Sequence, residues 1–130
     1  MRVEIVSPEK VLYSGEATQV ITRTLSGDIA FLAGHAPFLG ALAENHTRIY
    51  LTDGTVQDVA IHRGFVEVSH DVVSILSDTA ELASEIDVER ARRAKERAEK
   101  GVLEGDEDAP AALSRANARL AAAGAETTTH

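Results

Sequence analysis

The spacing of apolar residues changes once along the chain, near Ile86, and that change divides any fold it adopts into two parts. Up to about residue 77 the apolar residues come in short runs broken by turn formers. Val3-Glu4-Ile5 alternates apolar and polar. Val11-Leu12-Tyr13 runs into Ser14-Gly15, which predicts a turn. Ala17 to Thr24 is rich in β-branched residues, Ser26-Gly27-Asp28 breaks it, and Ile29-Ala30-Phe31-Leu32 starts again. Arg48-Ile49-Tyr50-Leu51 and Thr55-Val56-Gln57-Asp58-Val59 flank Thr52-Asp53-Gly54, and an Asp-Gly between two such runs signals a hairpin. Phe65 to Val68 and Val72 to Leu76 form a second pair around Ser69-His70-Asp71. Short strands with turns every eight to twelve residues predict a sandwich or flattened barrel.

From Ile86 onward the period is helical. Val88, Ala91, Ala94, Ala98 and Val102 recur at steps of three and four, which puts them on one helix face. Asp87 predicts an N-cap, with Glu89 in the first turn. Gly101 and Gly105 weaken the end of this helix, so the link from Gly101 to Gly105 reads as looser than continuous helix. After an acidic turn at Gly105-Asp106-Glu107-Asp108, Asp108 and Pro110 open a second helix. Its apolar positions are Ala109, Ala112, Leu113, Ala116, Leu120 and Ala123, and Gly124 ends it. Glu126 to His130 reads as a frayed tail. The expected class is α+β, with a β domain over 1–85 and an antiparallel two-helix hairpin over 86–130. Helices this rich in alanine bury little area, so the hairpin should hold together weakly.

Composition narrows the function. With no cysteine among 130 residues, disulfides and thiol chemistry are excluded. No run reaches the length of a membrane span, and the start carries no apolar secretory stretch. The net charge of −8 argues against general nucleic-acid binding. There is no phosphate loop, dinucleotide fingerprint or nucleophile elbow. The histidines His35, His46, His62, His70 and His130 have no ligand-pair spacing. The carboxylates are scattered, and a solvated acidic surface explains them. A part of a larger assembly, not a free-standing enzyme, is the expectation.

One stretch reverses the acidic balance: between Arg90 and Lys100 there are six basic residues and two acids. Arg90 and Arg97 are seven apart and share a helix face, as do Arg115 and Arg119, four apart. In antiparallel helices the four guanidinium groups would converge on an anion of polyphosphate type. Asp87 would orient Arg90 or accept from a base or sugar. Two other readings stand beside this one. The charges would form a solvated face held by pairs such as Glu89–Arg93 and Glu96–Lys100, or a basic face that docks on an acidic partner.

The order of features resembles the epsilon subunit of bacterial F-type ATP synthase, the counterpart of the mitochondrial subunit called delta. The resemblance rests on Ile5-Val6-Ser7-Pro8-Glu9, Tyr13-Ser14-Gly15, Ser26-Gly27-Asp28-Ile29 and Gly34-His35-Ala36-Pro37. It continues through Gly64-Phe65-Val66-Glu67-Val68, Val73 to Ala80 and the Ile-Asp-x-x-Arg-Ala stretch at 86–91. Ala30 and Ala33 stand where the family usually has Gly and Pro, and Arg63-Gly64 replaces a usual Gly-Gly. The resemblance implies a flattened sandwich of about ten strands plus two helices. It also implies a non-catalytic rotor subunit in the central stalk, held at the cytoplasmic face of the cell membrane through its partners: the gamma subunit, the c ring, and the beta and alpha subunits. Such a subunit couples proton-driven rotation to ATP synthesis. A mobile hairpin inhibits ATP hydrolysis in its extended form, and in some members binds regulatory ATP in its folded form. Carried over by position, the implied ATP site is Glu81 (at the adenine), Asp87, Arg90, Arg97, Arg115 and Arg119. The implied contact with beta is the basic face of Arg90, Arg92, Arg93 and Lys95. Asp28 and His35 match the edge that meets the c ring. A stand-alone ATP-sensing module using the same hairpin is the alternative.

Overall fold

The structure is a computed structural model that describes residues 1–124. The tail from Glu126 to His130 lies outside them. Nine strands precede two helices: β1 (Arg2–Val6), β2 (Val11–Thr24), β3 (Gly27–Leu32), β4 (Phe38–Ala41), β5 (Asn45–Leu51), β6 (Val56–Ile61), β7 (Phe65–Ser69), β8 (Val72–Leu76), β9 (Glu81–Leu82), α1 (Val88–Leu103) and α2 (Ala109–Ala122). A single 3-10 turn, Ala83–Glu85, joins β9 to the helices.

The predicted turn at Ser14-Gly15 does not form. β2 runs through it as one strand of 14 residues. Its first half pairs with β1, and its second half pairs with β3 and β5, with a register shift between Ala17 and Gln19. A long strand with a bulge can leave one sheet and join the next. The first sheet runs β4-β7-β8-β1-β2 and the second β3-β2-β5-β6-β9; β1 and β8 are parallel. Alternation along each strand sends Val3, Ile5, Val66, Val68, Val73 and Ile75 inward from one side. Val20, Phe31, Ile49, Val59 and Ile61 meet them from the other.

The expected hairpins are present. Gly54 turns with φ +89 and its N–H bonds the Leu51 carbonyl. His70 and Asp71 both have positive φ in a two-residue turn between Ser69 and Val72, the geometry of a type I′ turn. Gly64 has φ +148, and a Cβ there would sit on the Leu76 carbonyl oxygen. Only glycine allows β7 to start that close to β8.

The helical hairpin is folded down. α2 packs on β5 and β6 with one side and on α1 with the other. Ala118 and Ala122 rest on Ala60, with Ile86 beside them. Ala60 lies between the core residues Val59 and Ile61 and points to the outer face of the sheet. Its small side chain lets the helix approach. Ala109, Ala116 and Leu120 are buried as expected, whereas Val102 is exposed. The looser link predicted after Gly101 is absent: α1 continues to Leu103. A Cβ on Gly101 would lie 2.8 Å from that of Ala109, so this glycine marks close approach of the two helices rather than a weak end.

Candidate functional site

A cleft of about 320 Å³ opens where β9, the 3-10 turn, α1 and α2 meet. Glu81, Glu85, Asp87, Arg90, Ala91, Ala94, Arg97 and Arg119 line it. Arg90, Ala94 and Arg97 follow at helical spacing, so the two arginines flank a small side chain that leaves room between them. Asp87 caps α1 by accepting from the Arg90 backbone N–H at 3.0 Å. Its carboxylate therefore anchors the helix start and does not orient the Arg90 guanidinium. Arg90 and Arg97 have no hydrogen bond or ion pair from their side chains among the described residues.

Arg119 enters from α2 and donates from Nε to Glu81 Oε1 at 2.7 Å. Glu81 reaches it because β9 pairs with β6, placing Glu81 beside Ala60 beneath α2. The same Oε1 lies 2.8 Å from His62 Nε2, and His62 Nδ1 lies 2.9 Å from Glu44 Oε2. Burial pushes the Glu81 carboxyl up, but the hydrogen bonds from Arg119 and His62 and their charge outweigh it and hold the group below the usual carboxylate range. Glu81 is thus ionised and partly occupied, with Oε2 left to accept. The cleft holds three carboxylates and three guanidinium groups, two of the latter unpaired. It offers cations to a polyphosphate and acceptors to an amine or hydroxyl.

Five of the six expected nucleotide residues line this cleft: Glu81, Asp87, Arg90, Arg97 and Arg119. Arg115 does not, so three arginines converge, not four. Arg115 lies one turn earlier on α2, farther from the β9 end where Arg119 meets Glu81. Glu85, Ala91 and Ala94 were not anticipated; the alanines show only as apolar spacing. His62 and Glu44 support the site from below. No sequence signal joins them, because strand pairing brings them together: Asn45 faces Ile61, so their neighbours Glu44 and His62 meet one step on.

The proposed pairs on α1 are not those observed. Glu89 pairs with Arg92 at 2.9 Å instead of Arg93, and Glu96 forms no pair with Lys100. Arg90, Arg92, Arg93 and Lys95 do not make a single face. At about 100° per residue, Arg90, Arg93 and Arg97 form one stripe while Arg92 and Lys95 lie roughly 100–160° from its members round the helix. Asp28 and His35 flank the edge strand β3 without forming one patch. Asp28, paired with Arg23 at 2.6 Å, lies at its start beside α2. His35 follows its end, edge-on to Phe31 at 4.9 Å. From Asp28 to Leu32 alone the strand spans about 13 Å.

Residues 1–83 match the family model described as ATP synthase, Delta/Epsilon chain, beta-sandwich domain, and residues 84–124 match that of the long alpha-helix domain of the same chain. The chain belongs to the delta/epsilon family of ATP synthase. Relatives in this family include the ATP synthase epsilon chain of Streptomyces griseus, 45% identical over 122 residues that cover 94% of each chain. The epsilon chain of Thermobifida fusca is 46% identical over 128 residues, covering 95% of this chain and 92% of that one. Among solved structures, a chain of the Euglena gracilis mitochondrial ATP synthase complex of OSCP, F1 and c-ring superposes with a TM-score of 0.69. It is 24% identical, and the match covers 91% of this chain and 73% of that one. That likeness supports the same sandwich-and-hairpin fold. The delta/epsilon family models meet between residues 83 and 84, within the 3-10 turn that leads into the hairpin.

Proposed function

We propose that this chain is the non-catalytic epsilon subunit of the central stalk of a bacterial F-type ATP synthase, at the cytoplasmic face of the membrane. It couples proton-driven rotation to ATP synthesis through contacts with gamma and the c ring. Its folded hairpin holds a regulatory ATP. In the extended state the hairpin meets beta and restrains hydrolysis.

One observation carries the stalk role: α2 packs on the second sheet at β5 and β6, while the first sheet has no helix on its outer face among the described residues and carries exposed apolar side chains there beside Glu4, Glu67 and Ser74. Leu39, Phe65 and Leu76 are 69%, 55% and 47% exposed there. Phe65 faces both Ala41 and Leu76 across the strands, and Val6 faces Leu76. Beside them Val6, Pro8, Leu42, Phe65 and Leu76 line a groove of about 570 Å³. An exposed apolar patch of this kind, rimmed by polar side chains, marks a protein interface, and gamma is the occupant assigned to it. Mixing the chain with purified gamma and measuring co-elution tests it. Wild type should co-elute, and Phe65→Glu should not. Equal co-elution of both would remove this face from the interface.

ATP binding rests on the cleft. Two unpaired guanidinium groups on α1 face an ionised Glu81 clasped by Arg119, and the site closes only while the hairpin is folded. Arg90 also belongs to the basic segment offered to beta. ATP in the cleft and docking on beta therefore compete, and ATP favours the folded state. The same cleft would serve a stand-alone sensor, but the uncovered apolar patch around Phe65 and Leu76 favours the stalk subunit.

A further inference from the structure

His62 is the only buried histidine among the described residues, at 5% exposure. Each of its ring nitrogens faces a carboxylate oxygen: Nδ1 faces Glu44 at 2.9 Å and Nε2 faces Glu81 at 2.8 Å. An ionised carboxylate only accepts, and a neutral imidazole has a single N–H. Both contacts are filled only when both ring nitrogens carry hydrogen. With one N–H, a lone pair of this buried ring would face a carboxylate at under 3 Å. With two, the row Glu44–His62–Glu81–Arg119 holds two negative and two positive charges, and the charge on the one buried member, His62, is paired on both sides, as buried charge requires.

The row also crosses between the two parts of the molecule. Glu44 precedes β5, His62 follows β6 and Glu81 starts β9, all in the sandwich, whereas Arg119 belongs to α2. The apolar part of the docking contact is small, Ala118 and Ala122 on Ala60 with Ile86, and alanine contributes little area. An ordered ionic row therefore carries a large share of what holds the hairpin down. We propose that His62, with both ring nitrogens as donors, is the positioning residue that fixes Glu81 for Arg119 and so sets how firmly the hairpin stays docked. This rests on the reading of the hairpin as a mobile element and not on nucleotide binding.

Amide hydrogen exchange on the full chain without nucleotide tests it, with β7 and β8 as the internal reference and ring nitrogen NMR on wild type. The spectrum should show N–H at both nitrogens of His62. His62→Gln should raise exchange across α2 about tenfold, from loss of one charge-assisted hydrogen bond, and leave β7 and β8 unchanged. Adding Glu44→Gln should restore protection, because the amide at 62 then donates to Glu81 and accepts from the amide at 44. Ala118→Asp, which puts an acid into the docking face, should raise α2 exchange by itself. If Ala118→Asp does so and His62→Gln does not, the positioning role is overturned and the mobile hairpin stands. If neither does, the mobile hairpin itself fails. A single N–H on His62 in wild type, failed rescue by Glu44→Gln, or unfolding of the sandwich in His62→Gln would each overturn the proposal.

Discussion

Arg115 and Arg119 stand one turn apart on α2, and ATP should distinguish them. Only Arg119 lines the cleft. Its side chain is 30% exposed and its partner Glu81 32%. That is too covered for the near-zero value of a surface pair and too wet for the penalty of a fully buried one. A charge-assisted hydrogen bond between these limits contributes about 1.5–3 kcal/mol. Arg119→Ala removes that clasp, frees Glu81 to move within the cleft, and takes away one of three cations. The ATP dissociation constant should rise about 10- to 150-fold, at 1.4 kcal/mol per tenfold. Arg115→Ala touches none of these groups and should change it by about twofold or less. Titration calorimetry on both variants and wild type reads this, with Arg97→Ala falling between them. Equal losses for Arg115→Ala and Arg119→Ala would refute the three-arginine cleft and restore a four-arginine one. Absence of heat from wild type would remove the site.

The remaining predictions concern docking and stability. Because the Glu81 carboxyl is held below its ordinary value of 4.5, the clasp is fully present above that pH and lost as pH falls through the lowered value. Hairpin protection in hydrogen exchange should therefore fade as pH falls below 4.5, and Arg119→Met should abolish that acid transition. Gly64→Ala should destabilise the sandwich by about 3 kcal/mol or more, through positive φ and collision with the Leu76 carbonyl, lowering the thermal midpoint by about 10–20 °C. A chain ending at Ile86 should stay folded, with β7 and β8 protected, because the core residues all lie upstream of the helices; an unfolded truncation would contradict the two-part architecture.

Most of the fold was legible in local pattern. The change of period at Ile86, the Asp53-Gly54 hairpin and the Asp87 cap each follow from short-range chemistry. The Ser14-Gly15 turn failed because a glycine in a strand can also serve a strand that crosses between sheets, where tertiary pairing overrides the local signal. Gly101 misled in the same way, since its role is set by Ala109 eight residues on. The cleft was legible where its residues share one helix, as Arg90 and Arg97 do. Arg115 went wrong because face sharing on α2 does not say which turn reaches β9. His62 and Glu44 were invisible, since only strand register brings together residues 18 apart in sequence. The docking face of α2 was missed because Ala118 and Ala122 are too small to stand out from the alanines that face α1.

A stalk subunit must travel with the rest of its complex. Affinity purification of the tagged full-length chain from membranes of its own cell, followed by mass spectrometry, tests that most directly. Gamma, alpha, beta and c subunits should be recovered in fixed proportion with the chain, and Phe65→Glu should lose them. Recovery of the wild-type chain alone would contradict the stalk role.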